Sequence, residues 1–311
     1  MTRQVTVLTG GVGGAKLVLG LSQLLPPGTV TAIVNTGDDF DHLGLRISPD
    51  LDTLLYTLSD KANSEQGWGR KAETWSFMSA LRSLGAEDWF MLGDGDLALH
   101  VLRSEQLRQG LPLSSICARF AAAWGVKTRL LPMSDDPVAT QVATDEGQLA
   151  FQDYFVRRRC EPRVTGVSFG GAANAIPAPG VLEAITDPTV EAILIAPSNP
   201  YLSIDPILAI PAIRSALIAA RAPVVAVSPI INGQSVKGPT GKMMAEFGLG
   251  VGVLGVVEHY SDYLDGIVVD ASDTAKALPI PSASTDIMMC SIDDKIRVAA
   301  KVLDLAAALK R

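Results

Sequence analysis

Apolar and polar positions along the chain fall into two textures. Residues 5–9 form a β-branched run that ends in glycines, and residues 16–25 follow with apolar side chains at helical spacing, which predicts strand, tight turn and helix. Residues 29–34 predict a second strand, followed over 35–49 by a polar loop with glycines at 37 and 44. Residues 192–195, 223–227 and 266–269 are further short, apolar, β-branched runs with helical stretches between them. Strands alternating with helices predict an α/β fold, a parallel sheet with helices on both faces.

The middle of the chain reads differently. From about Asp50 to Val126 the spacing is helical, in stretches at 51–58, 72–84, 97–108 and 113–124. An inserted helical subdomain at 61–126, set into a core made by 1–60 and 127–311, is the simplest account. Residues 127–131, 138–142 and 149–151 return to strand patterns, and no internal repeat or low-complexity tract interrupts the chain. A last amphipathic helix is expected over 293–310, lysine-tipped where cations suit the helix dipole.

Composition narrows the function. The 311 residues are 48% apolar, enough to fill a substantial interior. With 26 basic against 33 acidic residues the formal charge is -7, so broad attraction to nucleic acid or anionic lipid is not expected. Any phosphate must then be held locally, by backbone amides, a few cations or a metal. Cys117, Cys160 and Cys290 match no metal or redox spacing and read as reduced thiols. No basic-then-apolar leader precedes the first strand and no apolar run reaches the roughly 18 residues of a membrane span. A cytoplasmic, soluble protein is the expectation.

Several stretches could carry chemistry. Gly10-Gly-Val-Gly-Gly14-Ala-Lys16 sits between the first strand and helix, where glycines admit a close ligand and a helix N-terminus offers amides to an anion. It fits neither the P-loop nor the dinucleotide fingerprint: Ala15, Leu17 and Lys16 stand where those templates need other residues. It could also be a turn required only for packing, and Lys16 a solvated helix lysine. Asn35-Thr-Gly-Asp-Asp39-Phe-Asp41-His42 follows the second strand at the carboxyl edge, where open α/β sheets bind ligands. It leads into Ser48-Pro-Asp50-Leu-Asp52-Thr53, whose paired carboxylates suit magnesium or the acceptance of a hydroxyl proton. Helix capping by Ser48 or Asp50 is the plainer alternative.

Later loops repeat the theme. Leu92-Gly-Asp94-Gly-Asp96, with His100, is an acidic turn that could be a simple cap, and Met133-Ser-Asp135-Asp136-Pro137 could be an Asp-Pro turn. Ser198 and Asn199 close one strand, Ser228 closes the next, and Lys237-Gly-Pro-Thr240-Gly-Lys242 enters a helix as a second phosphate cradle. His42, His100 and His259 give no triad, so a covalent hydrolase is disfavoured, and Arg157-Arg-Arg159 reads as a solvated charge run.

In this order the stretches at 10–16, 47–53, 92–94, 131–137, 151–153, 196–200 and 227–231 resemble the 2-phospho-L-lactate transferase (CofD-like) family of coenzyme F-420 biosynthesis. The resemblance implies a Rossmann-like three-layer core with a helical insert, a homodimer and dependence on Mg2+. It implies small-molecule substrates, with no nucleic acid or membrane: the deazaflavin Fo and a guanosine diphosphate ester whose phospho-acyl group is transferred with release of GMP. Carried over by position, Asp50 and Asp52 are the catalytic pair, Asp50 with Asp38 or Asp39 holding metal and Asp52 meeting Fo. Met91 and Asp94 fall at Fo-contact positions, although methionine cannot supply the basic contact that relatives can place at 91. Gly11, Gly13, Gly14 and Lys16, with Ser198, Asn199 and Ser228, would hold the nucleotide phosphates.

Two rival readings share the start of the chain. A non-catalytic regulatory protein that binds a nucleotide sugar would use the same glycine turn, and a binding assay with Fo discriminates. An NAD-dependent oxidoreductase rests on the strand-helix-strand start alone, which is fold analogy.

Overall fold

The computed structural model describes residues 4–63, 65–273 and 277–309, so the lysine tip expected at position 310 lies outside the described residues. β1 (Gln4–Thr9) runs into α1 (Gly11–Leu24) and β2 (Val30–Val34). A hairpin of β3 (Phe40–His42) and β4 (Leu45–Ile47) precedes α2 (Pro49–Leu58), α3 (Ser76–Ser83), α4 (Asp94–Arg108) and α5 (Leu113–Ala123). β5 (Arg129–Pro132) is followed by β6 (Ala139–Thr144), β7 (Gly147–Ala150), β8 (Val164–Gly170) and α6 (Val181–Thr186). Then come β9 (Val190–Ile195), α7 (Asp205–Leu208), α8 (Pro211–Ile218) and β10 (Val224–Val227). The small hairpin of β11 (Ile230–Ile231) and β12 (Gln234–Ser235) leads to α9 (Thr240–Glu246) and α10 (Val253–His259). β13 (Gly266–Asp270), β14 (Ser282–Thr285) and α11 (Ile292–Ala308) complete the order.

Seven of these strands form one sheet in the order β14-β13-β10-β9-β1-β2-β5, and each neighbouring pair is parallel. Parallel strands covered on both faces are apolar almost throughout, because each side chain meets a layer whichever way it points. Val5 and Val7 of β1 face the layer of α1, α2, α5 and α11. Leu8 faces the other layer, with Ile193 and Ile195 of β9. The α/β fold with helices on both faces is therefore as the periodicity predicts. Close helix packing also shapes the first layer: a Cβ on Gly20 would strike the carbonyl of Lys295, so α1 and α11 approach only because residue 20 has no side chain.

The structure corrects several local expectations. Residues 35–49 are more than a polar loop, since Phe40 pairs with Ile47 and His42 with Leu45 across a turn in which Leu43 (φ 53°) and Gly44 (φ 74°) are left-handed. α1 starts at Gly11, five residues before the apolar spacing becomes visible. β6, β7 and β8 form a separate antiparallel sheet, and β8 and the edge strand β14 lack the strong β-branched signal of the central strands. Within 61–126, α5 packs on β5, and its Ile116 and Phe120 share a cluster with Leu51 and Leu54 of α2. Met78 and Leu92 instead make a small cluster with Ile47. Among the described residues no single helix is long and apolar enough to cross a membrane.

Candidate active site

The chain enters the sheet at an interior strand. β1 has β2 on one side and β9 on the other, so the strand order reverses between β1 and β9, the position where open parallel sheets form a ligand crevice. Ser198, in the loop after β9, crosses that gap: its Oγ donates to the Gly10 carbonyl at 2.7 Å and accepts from the Gly10 amide at 3.3 Å. A Cβ on Gly13 would lie 2.6 Å from the Pro197 carbonyl oxygen, which explains the glycine there. A cavity of about 960 Å³ opens at this crevice, lined by Gly11, Gly13 and Lys16 on one element and by Asp38, Asp50 and Asp52 on others.

Asp50 and Asp52 lie in the first turn of α2 and are both buried. Neither needs to cap the helix, and Ser48, at the N-cap position, makes no side-chain cap; its hydroxyl donates to Asp39 Oδ2 at 2.6 Å. Asp50 ties three segments together, its Oδ1 accepting from the Gly11 amide at 2.7 Å and its Oδ2 from Asn35 Nδ2 at 3.0 Å. Burial nevertheless raises its carboxyl to about 6 against the help of those two donors. Asp38 stands well above the carboxylate range because it is buried and then because Asp50's charge lies near it. Its Oδ1 has no hydrogen-bond partner. A buried, orphaned carboxylate oxygen beside a second carboxylate fits a hard cation that takes two protein ligands and completes its shell from substrate and water. Among the described residues no group of three or more His, Cys, Asp or Glu is placed to hold a metal alone.

Asp52 belongs to a network that sequence reasoning missed. Arg103, 1% exposed, reaches from α4 and donates to both carboxylate oxygens, Nη1 to Oδ2 at 3.1 Å and Nη2 to Oδ1. His100 lies between two acids, Nδ1 3.7 Å from Asp52 Oδ2 and Nε2 3.2 Å from Asp96 Oδ2, and the Tyr56 hydroxyl donates to Asp96. Burial raises Asp52, and the charge of Arg103 and then of His100 oppose that rise. Asp96 falls below its usual value because donors from His100 and Tyr56 outweigh its burial. The sequence clue was the i, i+4 pair Asp96 and His100 with Arg103 one turn on, all on one face of α4.

Two other walls complete the cavity. Lys237, from the loop before α9, joins Lys16, and its pKa is lowered by partial burial and then by the charge of Lys16. Its Nζ donates to the Gly67 carbonyl at 2.7 Å, linking that loop to the segment that carries Trp68. Trp89, Phe90, Phe151 and Phe155 form an apolar side, with Phe151 and Phe155 stacked at 5.2 Å.

Not every expected residue reaches the cavity. Met91 lines it, with Arg82 Nη2 3.4 Å from its sulfur. Gly14, Asp39 and Asp94 do not. Gly14 lies against Thr9 and Ser198, so it serves packing behind the turn. Asp39, raised to about 7 by burial that outweighs Arg46 and Ser48, faces the β3–β4 hairpin. Asp94 accepts from Thr74 Oγ1 and from the amides of Ser76 and Phe77, so it holds the start of α3. Ser198, Asn199 and Ser228 line the cavity, but their side chains are engaged internally, Asn199 Oδ1 with the amides of Tyr201 and Leu202 and Ser228 Oγ with Ile230. Asp135 and Asp136 are buttresses: the first receives the amide and hydroxyl of Ser114, the second the amide of Ile176.

The chain is similar to known proteins along nearly its whole length. A family model described as 2-phospho-L-lactate transferase CofD matches residues 5–304. A phosphoenolpyruvate transferase of Streptomyces avermitilis is 41% identical over 99% of both chains. A 2-phospho-L-lactate transferase of Methanosarcina mazei is 40% identical over 86% of this chain and 88% of its own. A crystal structure of a UPF0052 family protein from Bacillus halodurans superposes with a TM-score of 0.64 at 18% identity, covering 97% of this chain and all of the other, which shows the shared fold. With a single family model spanning all but the chain's ends and relatives at 40% identity along most of it, the chain belongs to the 2-phospho-L-lactate transferase CofD family.

Proposed function

We propose that this chain transfers the phospho-acyl group of a guanosine diphosphate ester to the terminal ribityl hydroxyl of Fo, releasing GMP, a step in making coenzyme F-420. One observation carries the reading: a single cavity of about 960 Å³ combines a glycine-rich helix start and two lysines with paired carboxylates and an aromatic side. The first set suits a diphosphate, the second a cation and a proton, the third a flat heteroaromatic ring. Relatives named for phosphoenolpyruvate and for 2-phospho-L-lactate differ by one per cent in identity, although the first match covers more of the chain; the acid is proposed to be one of these two or phosphoglycerate.

In this reading the Fo hydroxyl oxygen forms a bond to the phosphorus that bears the acid, and the bond from that phosphorus to the GMP oxygen breaks with its electron pair. Catalysis of this kind rests on positioning and charge neutralisation. The Gly11 amide is given to Asp50, so the amides of Val12 and Gly13 in the first turn of α1, with Lys16 and Lys237, orient the diphosphate. Asp50 and Asp38 would hold magnesium, which when bound supplies positive charge to the diphosphate oxygens. Asp52, held by Arg103, receives the hydroxyl proton. The protein is proposed to act as a cytoplasmic homodimer.

The test offers the purified chain Fo, magnesium and each of the three esters, and follows GMP and the deazaflavin product by mass. One ester should turn over, and Asp50→Asn should remove most of that turnover. No product from any ester, or full activity in the variant, would count against the assignment or against Asp50.

A further inference from the structure

We propose that Arg159 reads the carboxylate of the transferred phospho-acid, an assignment that rests on the reading of the cavity given above. The arginine run at 157–159 is largely exposed, as the sequence suggests, but its three members differ in their partners. Arg157 pairs with Glu87 at 2.5 Å and covers the Trp89 ring at 4.7 Å. Arg158 pairs with Glu146 at 2.5 Å. Arg159 has no ion pair among the described residues and lines the cavity.

The backbone is bent to put it there. Arg159 (φ 50°) and Cys160 (φ 59°) are consecutive left-handed residues, a conformation that favours glycine. The turn is held by the Arg158 amide on the Asp153 carbonyl (2.8 Å), Cys160 on Tyr154 (2.9 Å) and Glu161 on Arg158 (2.9 Å). Strain maintained by its surroundings at the edge of a ligand cavity is a pointer to function.

Ligand chemistry supplies the rest. Among the described residues, Lys16, Lys237 and Arg159 are the permanent cations that line the cavity. The two lysines stand with the glycine turn, as point charges suited to phosphate, and Arg159 comes from a separate segment that also supplies Phe151 and Phe155. Each candidate donor carries a diphosphate and, on the acid, one planar carboxylate. A guanidinium fork matches a carboxylate through two parallel hydrogen bonds, which a lysine cannot make.

Arg159→Gly removes the side chain while retaining a residue suited to the left-handed turn, and Arg159→Lys keeps the charge without the fork. Binding of the preferred guanosine diphosphate ester, and its KM, should weaken about tenfold or more in the glycine variant and less in the lysine variant, with KM for Fo unchanged. A guanosine diphosphate ethyl ester, which lacks the carboxylate, should bind wild type and Arg159→Gly equally. Unchanged ester affinity in Arg159→Gly, equal loss on both esters, or a loss that falls on Fo would overturn the assignment. Failure of wild type to turn over or bind any ester would overturn the cavity reading with it, whereas active wild type with an unaffected glycine variant sinks the Arg159 role alone.

Discussion

Asp50, Asp52 and Asp94 look alike in sequence, as aspartates near helix starts, and differ in what surrounds them. Asp94 spends its carboxylate on three donors that fix α3, which leaves little for a ligand. Asp50 and Asp52 are buried beside a cavity, where burial raises both carboxyls and specific partners oppose that rise. Arg103→Met should therefore do more than trim a side chain. It leaves the Asp52 carboxylate buried without its counter-charge, for which the expected loss is about 3–5 kcal/mol in urea unfolding. Asp52→Asn added to Arg103→Met should recover part of that stability, and a double mutant no more stable than Arg103→Met would show that the pair carries little of the effect. The aspartates are visible in the sequence, but their sorting depends on Arg103 and Asn35, partners 51 and 15 positions away whose reach no local pattern reveals.

Among the elements, α1 carries the most information per residue. Its glycines have separate reasons: Gly11 adopts φ 66°, whereas Gly13 has ordinary backbone and lacks a side chain because Pro197 leaves no room. Gly13→Ala should force β9's loop away from the helix start, lowering Tm and raising KM for the ester at least severalfold, as followed by thermal melts and GMP release. An alanine variant with wild-type KM would show that the loop yields without consequence. The strand-helix alternation was legible because buried parallel strands are continuous apolar runs. The β3–β4 hairpin was not, since its strands are three residues each and its turn uses Leu43 rather than the Asn-Gly or Asp-Gly pair that marks such turns in sequence. β8 was missed because it belongs to a partly exposed antiparallel sheet and buries only Val164 fully.

For the molecule as a whole, buried acid gathers in the crevice and in the β3–β4 segment beside it. Asp39 at about 7 and Asp50 at about 6 lie above the 3.8 of an unhindered aspartate, so between those values the folded state binds more protons than the unfolded chain. Stability contributed by their protonated forms is complete below about pH 4 and is lost as pH rises through the folded values, each carboxyl costing at most about 1.4 kcal/mol per pH unit climbed in that window. The chain without divalent cation should thus resist urea better at pH 5 than at pH 8, Asp39→Asn should flatten the difference, and magnesium should narrow it at the alkaline end. A protein more stable at pH 8 without added cation would contradict the assignment of these groups.

The Gly10–Ser198 interlock joins positions 188 apart in the chain. During synthesis the glycine turn leaves the ribosome long before the loop that completes it. A nascent chain that stops short of Pro197 has one wall of the crevice and nothing to close the other, so it holds no substrate and gains no protection from it. Chemical competence therefore arrives late and in steps, since Lys237 follows only when about three-quarters of the protein has been made.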